Sequence, residues 1–522
     1  MPRFHAVRSA ASFLWSLAAG ATWSIWCLLL LGAWGGRPCR ADEAMRAGVA
    51  RVDITDREAG PVNDPLYVKA LVLQRGATRV AIITVDAVAI GEIGRIGNDY
   101  LIDVRASLEK RFQIPPSHLL INASHCHGVI LRDIRPHTMR AVEQAVSRMV
   151  PVRIGVGTGY EDRVQENRRM RLKDGTEVDV RHAYSMPRDE EVVSVGPIDP
   201  EIGILRIDRL DGRTLAVLFN FACHPIQGVP SGGNTADLTG FACRTIETSF
   251  GDGTMAFFLQ GCAGDINPVF YKRVDMPRDA EALGTMLGLR VVRGARSIQP
   301  AADGPLRVLH RITTLPRADY DERIETLERE RRRLVESLQG TTLNLKTFME
   351  LSVKYHLSPA YPSYYAYGYL HEAERKRGGL KRLDEVNRRA MARYVRNVET
   401  MERLTRINTN LRLLRRHRDD ARAAGRKTLD VDLHAVRIGA FALLTFPGEL
   451  TVEIGLGIKR RSPMKYTFVA GYTNGYIYYA PTARQLANQG GAQEDSDSLL
   501  APSWQAIFEA QADAMLRRLA EE

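Results

Sequence analysis

Two histidines separated by one residue, His125 and His127, follow an apolar run in the stretch LLINASHCHGVI. The run predicts a buried strand, and side chains two residues apart in a strand point to the same face. Both imidazoles are therefore expected to face one point. Imidazole nitrogens bind metals and transfer protons near neutral pH, so the pair indicates a metal site, a proton relay or a chance spacing.

Three further candidate ligands stand at the ends of predicted apolar strands. His224 ends LAVLFNFACH, Glu449 follows AFALLTFPG, and Tyr479 ends NGYIYY. Functional residues concentrate where a rigid strand passes into a loop. Taken singly, each of these residues is more typical of a packed core position, so only their combination suggests a shared site.

The motifs around these residues, taken in order, resemble those of the neutral (alkaline) ceramidases, exported zinc amidases that cleave the N-acyl bond of ceramide. The similar stretches are collinear from about Ala47 to Thr482: NASHCHG, ENRRM, FACHPIQ, NTADLTGFACRTIE, LQGCAGDINP, FPGELT and GYTNGYIYYAPT. No stretch resembles the C-terminal immunoglobulin-like domain of that family, and none is expected here.

The resemblance implies a Zn²⁺ site with four protein ligands: His125, His224, Glu449 and Tyr479. It implies that His127 is a proton shuttle or orients a ligand, and that Arg168 contacts the polar head of the substrate or the oxyanion. Asp237 would fix a ligand histidine, as carboxylates around metal sites do. Zinc in such a site activates a water molecule and polarises the amide carbonyl.

Two departures from the family motifs bear on mechanism and substrate. Asn267 stands where the family has a serine once proposed as nucleophile, which excludes an acyl-serine route through this position and favours attack by water. The residues Gly128, Val129 and Ile130 replace the end of the SHTHSGP motif, beside the expected substrate cleft. These changes affect the predicted specificity more than the zinc site.

The leading interpretation is an exported zinc hydrolase that cleaves the N-acyl bond of a small lipid-like amide. A second interpretation keeps the metal site and changes the substrate to another amide or ester, such as a cell-wall or sugar-linked acyl group, and the altered loop favours it. A binding protein without turnover is a third. A redox or thiolate-metal site is disfavoured because the chain has no C-x-x-C pair.

The elements that must position these residues alternate between strands and helices. Hairpins are predicted around Gly76 and around Asp211-Gly212. Helices are predicted over DYLIDVRASLEKRFQI, HTMRAVEQAVSRMVPV and GFACRTIETSF. The mixture indicates an α/β (α+β) fold, with mixed β-sheets layered with helices in one large catalytic domain.

Residues 319–424 have a different composition, with two long charged stretches of helical spacing around the tyrosine-rich YHLSPAYPSYYAYGYL. Charge runs of this kind are usually solvated faces. A pair of amphipathic helices packed on the core is therefore favoured over a lid or a membrane-facing arm. The tyrosine-rich stretch either lines a groove or forms a packed loop.

The N-terminus has the pattern of an export signal. Arg3 and Arg8 precede a long uncharged run, and the small residues Cys39 and Ala41 follow it. Residues 1–41 are therefore predicted to be a signal peptide, or an uncleaved membrane anchor because the run is long enough to span a bilayer. Either way, residues 42–522 form the predicted ceramidase-like hydrolase domain, which would be secreted, periplasmic or anchored to the outer face of the membrane.

The net charge of +11 is spread along the chain. No zinc-finger, RNP or helix-turn-helix signature is present, so nucleic acid is not an expected partner. The charge supports at most a weak attraction to anionic surfaces, which leaves peripheral membrane contact open. Four cysteines outside the export segment either form disulfides or pack as buried thiols: Cys126, Cys223, Cys243 and Cys262.

Overall fold

An eight-stranded mixed sheet lies at the centre of the fold. The computed structural model describes residues 44–180, 187–228, 233–251, 253–271, 273, 275, 278–301 and 304–521. In order across the sheet, its strands are β12 (Met255–Gln260), β11 (Thr214–Phe221), β10 (Glu201–Arg209), β5 (Val150–Tyr160), β1 (Arg46–Asp53), β2 (Tyr67–Arg75), β3 (Thr78–Val85) and β4 (Leu119–Ala123). The two edge strands are parallel to their neighbours, and the inner pairs are antiparallel.

A second sheet of four strands contains β14 (Leu306–Pro316), β15 (Thr428–Ile438), β16 (Phe441–Thr445) and β18 (Tyr466–Ala470). Within the described residues, three small sheets complete the strand structure: β8 (Glu177–Asp179), β7 (Arg169–Leu172) and β9 (Val192–Val195); β13 (Ile266–Pro268) with β6 (Gln165–Asn167); and β17 (Glu449–Leu450) with β19 (Tyr479–Ala480).

The α-helices of the described residues are α1 (Tyr100–Phe112), α2 (Arg135–Ser147), α3 (Asp237–Phe250), α4 (Ala280–Ser297), α5 (Asp321–Ser337), α6 (Leu345–Leu357), α7 (Ala366–Glu374), α8 (Gly379–Ala424), α9 (Val452–Arg461), α10 (Ala483–Leu486) and α11 (Trp504–Glu521). Residues 45–522 form one compact unit.

The two large sheets lie face to face between layers of helices. Along β11, Val217 and Phe219 pack against α3 and α4, whereas Ala216 and Leu218 pack against the four-stranded sheet. This alternation follows from the two-residue period of a strand. The outer face of the four-stranded sheet is covered by α9 and α11, with Trp504 in the core between them. The result is a helix-sheet-sheet-helix sandwich, which confirms the predicted α/β class.

The predicted hairpins are present as β2–β3 and β10–β11. The helix predicted over His137–Val152 ends at Ser147, and the last residues of that stretch belong to β5. Residues 319–424 contain four helices instead of the predicted two, because the tyrosine-rich stretch is itself partly helical in α6 and α7. The second half of α8 packs on α5 through a small apolar core.

Cys126, Cys223, Cys243 and Cys262 are buried free thiols, so the described residues support the packed-thiol alternative. The predicted export segment, residues 1–41, lies outside the described residues. Among the helices that the structure describes, none combines the length and apolarity required to cross a membrane.

Candidate metal centre

Three buried side chains from distant parts of the chain meet at one point. One potential ligand atom each from His125, His224 and Glu449 lies within 4.8 Å of the others. The His224 Nε2 atom is 3.0 Å from one carboxylate oxygen of Glu449, and the His125 Nε2 atom is 3.7 Å from the other. All three side chains are almost completely excluded from solvent. Two imidazoles and a carboxylate in this arrangement match the ligand types that zinc takes in proteins.

Backbone carbonyl groups fix the tautomer of both imidazoles. The Nδ1 atom of His125 lies 2.6 Å from the carbonyl oxygen of Val88, and that of His224 lies 2.9 Å from the carbonyl oxygen of Ile266. A carbonyl oxygen only accepts, so each Nδ1 carries the proton and each Nε2 presents its lone pair to Glu449. Lone pairs and a carboxylate repel one another unless positive charge lies between them. A metal ion supplies that charge, and so would an added imidazole proton.

Two tyrosines donate hydrogen bonds to the Glu449 carboxylate. The Tyr472 hydroxyl is 3.1 Å from Oε2, and the Tyr476 hydroxyl donates to Oε1. Burial, reinforced by the Glu449 charge, raises the pKa of both phenols well above the ordinary value. Both hydroxyls therefore keep their protons and act as donors, which orients the carboxylate and satisfies lone pairs that a ligand does not use.

Gln260, at the end of β12, holds the chain segments that carry both histidines. Its amide nitrogen donates to the carbonyl oxygens of Ser124, at 3.1 Å, and Cys223, at 2.9 Å. These residues immediately precede His125 and His224. One fully buried carboxamide therefore fixes the spacing of the two imidazoles.

The two histidines of the His-x-His motif do not lie in a strand, which corrects the geometric basis of that prediction. β4 ends at Ala123, and His125 follows in a loop with φ of 67°. This left-handed conformation is uncommon for a residue with a side chain and is typical of functional sites. The rings of His125 and His127 are perpendicular, with centroids 5.5 Å apart, so they converge through the loop and not through strand alternation.

Tyr479 lies beside Glu449 because their short strands are paired. In the parallel pair β17–β19, Glu449 is the register partner of Tyr479. The phenol ring is buried and lines the same cavity as the two cluster histidines. Its proposed role as a ligand stays a prediction.

A cavity of about 530 Å³ opens onto the cluster. His127 is exposed in its wall, whereas His125 is buried. Its lining is mixed in polarity and includes Val129, Gln227 and Arg278. The predicted site residues that line it are His125, His127, Arg168, His224, Asp237 and Tyr479.

Two solved ceramidase structures are similar to this chain in fold. The crystal structure of neutral ceramidase from Pseudomonas aeruginosa matches with a TM-score of 0.56 at 17% sequence identity, over 91% of this chain and 75% of that one. The structure of a ceramidase complexed with C2 matches with a TM-score of 0.57 at 16% identity, over 92% of this chain and 76% of that one. The chain has the neutral ceramidase fold. The resemblance inferred from short motifs is confirmed at that level.

No family model and no curated protein matches the sequence. The neutral ceramidase fold is therefore recognised here from structure and from short collinear motifs, with low overall identity. At this identity the likeness establishes the architecture.

Arg168 reaches the cavity from a buried network. Its Nε donates to Glu494 at 2.6 Å, its Nη1 donates to the side-chain oxygen of Asn267 at 3.0 Å, and its Nη2 donates to the carbonyl oxygen of Gly264. Burial favours the neutral guanidine, but Glu494, Tyr479 and Glu449 raise the pKa of Arg168 overall. The guanidinium is thus a fixed positive charge near the cluster. Its contact with substrate stays a prediction.

Asp237 supports the loop that follows His224. Its carboxylate accepts hydrogen bonds from the backbone N–H groups of Leu238, at 2.6 Å, and of Gly228. Burial raises the pKa of Asp237 to about 6, although these donors oppose the shift. The contacts seen are to the backbone of this loop, and the predicted contact with a ligand histidine stays a prediction.

Sequence reasoning did not single out Gln260, Tyr472 or Tyr476. The two tyrosines lie within the GYTNGYIYY motif, where only Tyr479 was selected as a candidate ligand. The segment that carries the two tyrosines is neither a regular helix nor a regular strand, because Tyr472 has a φ of 52° and Asn474 a φ of 59°. No regular repeat therefore predicts that both hydroxyls reach one carboxylate. Gln260 ends an apolar strand like the predicted ligands, and that position was the available signal.

Proposed function

We propose that this chain is an exported, zinc-dependent hydrolase that cleaves the N-acyl bond of a small lipid-like amide. The observation that carries the proposal is the buried cluster of His125, His224 and Glu449, in which both Nε2 atoms face the carboxylate. The neutral ceramidase fold supports the reaction class. The N-terminal sequence pattern supports export.

The residues around the cluster suit each part of an amide hydrolysis. Bound zinc would supply a Lewis acid and an activated water molecule. Tyr479, which is paired with Glu449 between two short strands, would complete the ligand set or donate to the developing oxyanion. Arg168 contributes a fixed positive charge to the same region.

His127 is the proposed proton shuttle. Its imidazole is exposed to the cavity and its ring lies 5.5 Å from that of His125. Histidine exchanges protons near neutral pH, so this side chain can protonate the leaving amine nitrogen. Asp237 would hold the opposite loop of the cavity in place through its backbone contacts.

A second candidate function keeps the metal site and changes the substrate. The cavity wall includes the polar and charged side chains of Gln227, Asn234 and Arg278 beside Val129. A substrate with a polar or anionic group next to the scissile bond would suit this lining. Another amide or ester, such as a sugar-linked acyl group, is therefore the alternative to a ceramide-like lipid.

Metal analysis of purified protein tests the cofactor. We expect about one zinc ion per chain, and His224→Ala should lose both the ion and the activity. His118→Ala is the matched control, because the Nδ1 atom of His118 also lies 2.9 Å from a backbone carbonyl oxygen, that of Arg79, outside the cluster. A folded, active His224→Ala protein would contradict the ligand assignment.

A substrate panel separates the two candidate functions. Wild-type protein and His224→Ala are incubated with a fluorogenic ceramide, shorter N-acyl amides, acylated amino sugars and matched esters. Preferred cleavage of the ceramide supports the lipid amide, and preferred cleavage of a polar amide or ester supports the second candidate. Absence of turnover on the whole panel by zinc-loaded protein would contradict both.

A further inference from the structure

The helices α6 and α7 and the first half of α8 form a helical arm, residues 345–401. α6 and α7 pack on α8. The buried carboxylate of Asp384 ties the three helices together, because it accepts hydrogen bonds from Tyr355 at 2.9 Å and Tyr369 at 2.8 Å. The arm has its own packing interactions, yet its surface differs from that of the rest of the molecule.

More than half of the large apolar side chains that the described residues expose lie on this arm, which is little more than a tenth of the chain. Soluble proteins rarely expose apolar side chains in such concentration, and a patch of this kind usually marks an interaction surface. The sequence pattern favours solvated charged helices here, and the structure shows that interpretation to be incomplete.

α6 is apolar on two separate faces. One face packs inwards, with Phe348 stacked on Tyr394 at 4.8 Å between ring centroids and with Tyr355 buried. The other face carries an apolar stripe at four-residue spacing, whose side chains are 53% to 81% exposed: Leu345, Met349, Val353 and Leu357. Residues four apart lie on one side of a helix, so the stripe is continuous and points away from the packed face.

Exposed aromatic side chains follow α6 in the chain. Tyr364 is 85% exposed, and Tyr361, Tyr365 and Tyr367 are also exposed. Tyrosine combines an apolar ring with a polar hydroxyl and is enriched where a protein meets the headgroup region of a membrane.

The turn between α7 and α8 is strongly basic. Five of the eight residues in RKRGGLKR are Lys or Arg, and all five are exposed: Arg375, Lys376, Arg377, Lys381 and Arg382. Within the described part of the chain, none of these five side chains forms an ion pair. The whole arm contains eleven Lys and Arg residues against six Asp and Glu residues.

We propose that the helical arm binds an anionic lipid surface. The apolar stripe and the tyrosines would enter the headgroup region, and the basic turn would contact lipid phosphates and other anionic headgroups. The excess of positive charge disfavours a second copy of the chain as the occupant, because a symmetric contact would bring two basic arms together. This inference is independent of the chemistry proposed for the metal centre.

Partition to lipid vesicles tests the proposal with the full chain. Wild-type protein should bind vesicles of phosphatidylcholine with phosphatidylglycerol more tightly than vesicles of phosphatidylcholine alone. A stripe variant should bind the anionic vesicles about tenfold more weakly or worse: Leu345→Gln, Met349→Gln, Val353→Gln and Leu357→Gln together. The matched control changes four exposed apolar residues outside the arm and should bind like wild type: Ile102→Gln, Leu210→Gln, Leu289→Gln and Val335→Gln. Equal binding by the stripe variant and this control would overturn the proposal.

A fluorescent label on the arm distinguishes the occupants and separates the arm from the apolar N-terminal sequence. In a Cys27→Ser, Cys39→Ser background the remaining cysteines are buried, so Tyr364→Cys carries a polarity-sensitive dye, and Ile102→Cys is the control. A blue shift on anionic vesicles at position 364 alone supports the proposal. A blue shift that appears without lipid and grows with protein concentration would assign the surface to a second copy of the chain. A blue shift that is present without lipid at every protein concentration would assign the surface to another segment of this chain. Either of these results, or no shift, overturns the assignment to lipid.

Discussion

At the scale of single residues, the Glu449 carboxylate is held between two imidazoles and two phenols, and the proposed metal centre depends on this arrangement. The phenols of Tyr472 and Tyr476 keep their protons because burial and the Glu449 charge raise the pKa of each. Groups that orient a metal ligand usually contribute strongly to metal affinity without touching the ion.

We therefore expect Tyr472→Phe and Tyr476→Phe each to weaken zinc binding by about 10- to 100-fold, because each change removes a donor that orients Glu449. Competition with a chromogenic chelator measures the affinity. Tyr320→Phe is the matched control, since Tyr320 is also buried and donates to a backbone carbonyl oxygen, that of Ser498. Unchanged affinity in both test variants would show that these hydroxyls do not position the carboxylate.

The sequence brought His125, His224 and Glu449 forward as candidates, because each follows an apolar strand and lies in a motif that resembles those of the neutral ceramidases. The expected convergence of His125 and His127 through strand alternation was wrong, since the strand ends at Ala123 and the loop takes a positive φ. Contacts with distant segments of the chain fix a backbone conformation of that kind. The pattern of apolar and polar residues around His125 carries no information about those contacts.

At the scale of elements, the centre is assembled where the ends of β4, β11 and β12 come together. Gln260 connects the three strand ends, with one carboxamide donating to backbone groups beside both histidines. Close packing of the backbone contributes as well. A Cβ atom on Gly264 would lie 2.6 Å from the carbonyl oxygen of Glu449, so only glycine fits there.

Gln260→Ala should lower the free energy of unfolding by about 1–3 kcal/mol, because it leaves buried carbonyl groups without a donor. It should also weaken zinc binding, since the two histidines lose their common support. Denaturant unfolding and the chelator competition measure the two effects.

Asn220→Ala is the control for this change. Asn220 is a buried carboxamide that donates to the carbonyl oxygens of Leu259 and Val469, neither of which adjoins a cluster residue in the chain. It should lower stability with little effect on zinc. If Gln260→Ala loses stability and keeps full zinc affinity, its role is structural only.

The hairpins and the two-residue alternation of β11 were predictable because they depend on neighbours in sequence. The pairing of β17 with β19, which sets Glu449 beside Tyr479, was not predictable from the sequence. Each of these strands has only two residues, which is too short to show an alternation of apolar and polar side chains. The charged helical segment was recognised as helical. The exposed apolar stripe of this segment was not identified, because its many charged residues were interpreted as solvated helix faces.

At the scale of the whole molecule, the packing of two sheets between helix layers also buries ionisable groups that are not part of the metal cluster. His434, in β15, is one of them. Burial, with nearby His310 and Arg105, lowers the pKa of His434 to about 3, although Asp432 opposes the shift. Its ordinary pKa is 6.5.

Between about pH 6.5 and pH 3 the unfolded chain therefore binds a proton at His434 that the folded chain does not. The contribution of this group to the free energy of unfolding is complete above pH 6.5 and declines as the pH falls through this range. His434→Gln should have a shallower loss of stability between pH 6.5 and pH 4 than wild type, measured by denaturant unfolding. The exposed His356→Gln control should follow the wild-type slope, and an equally steep decline in His434→Gln would contradict the assignment.

Anomalous diffraction above and below the zinc absorption edge would show whether His125, His224 and Glu449 together bind one zinc ion. Crystals of the full chain prepared with zinc should show one strong anomalous peak about 2.0–2.2 Å from the two Nε2 atoms and a Glu449 carboxylate oxygen. The peak should be absent in crystals of His224→Ala. A zinc peak located elsewhere, or none at this cluster in the wild-type protein, would contradict the account.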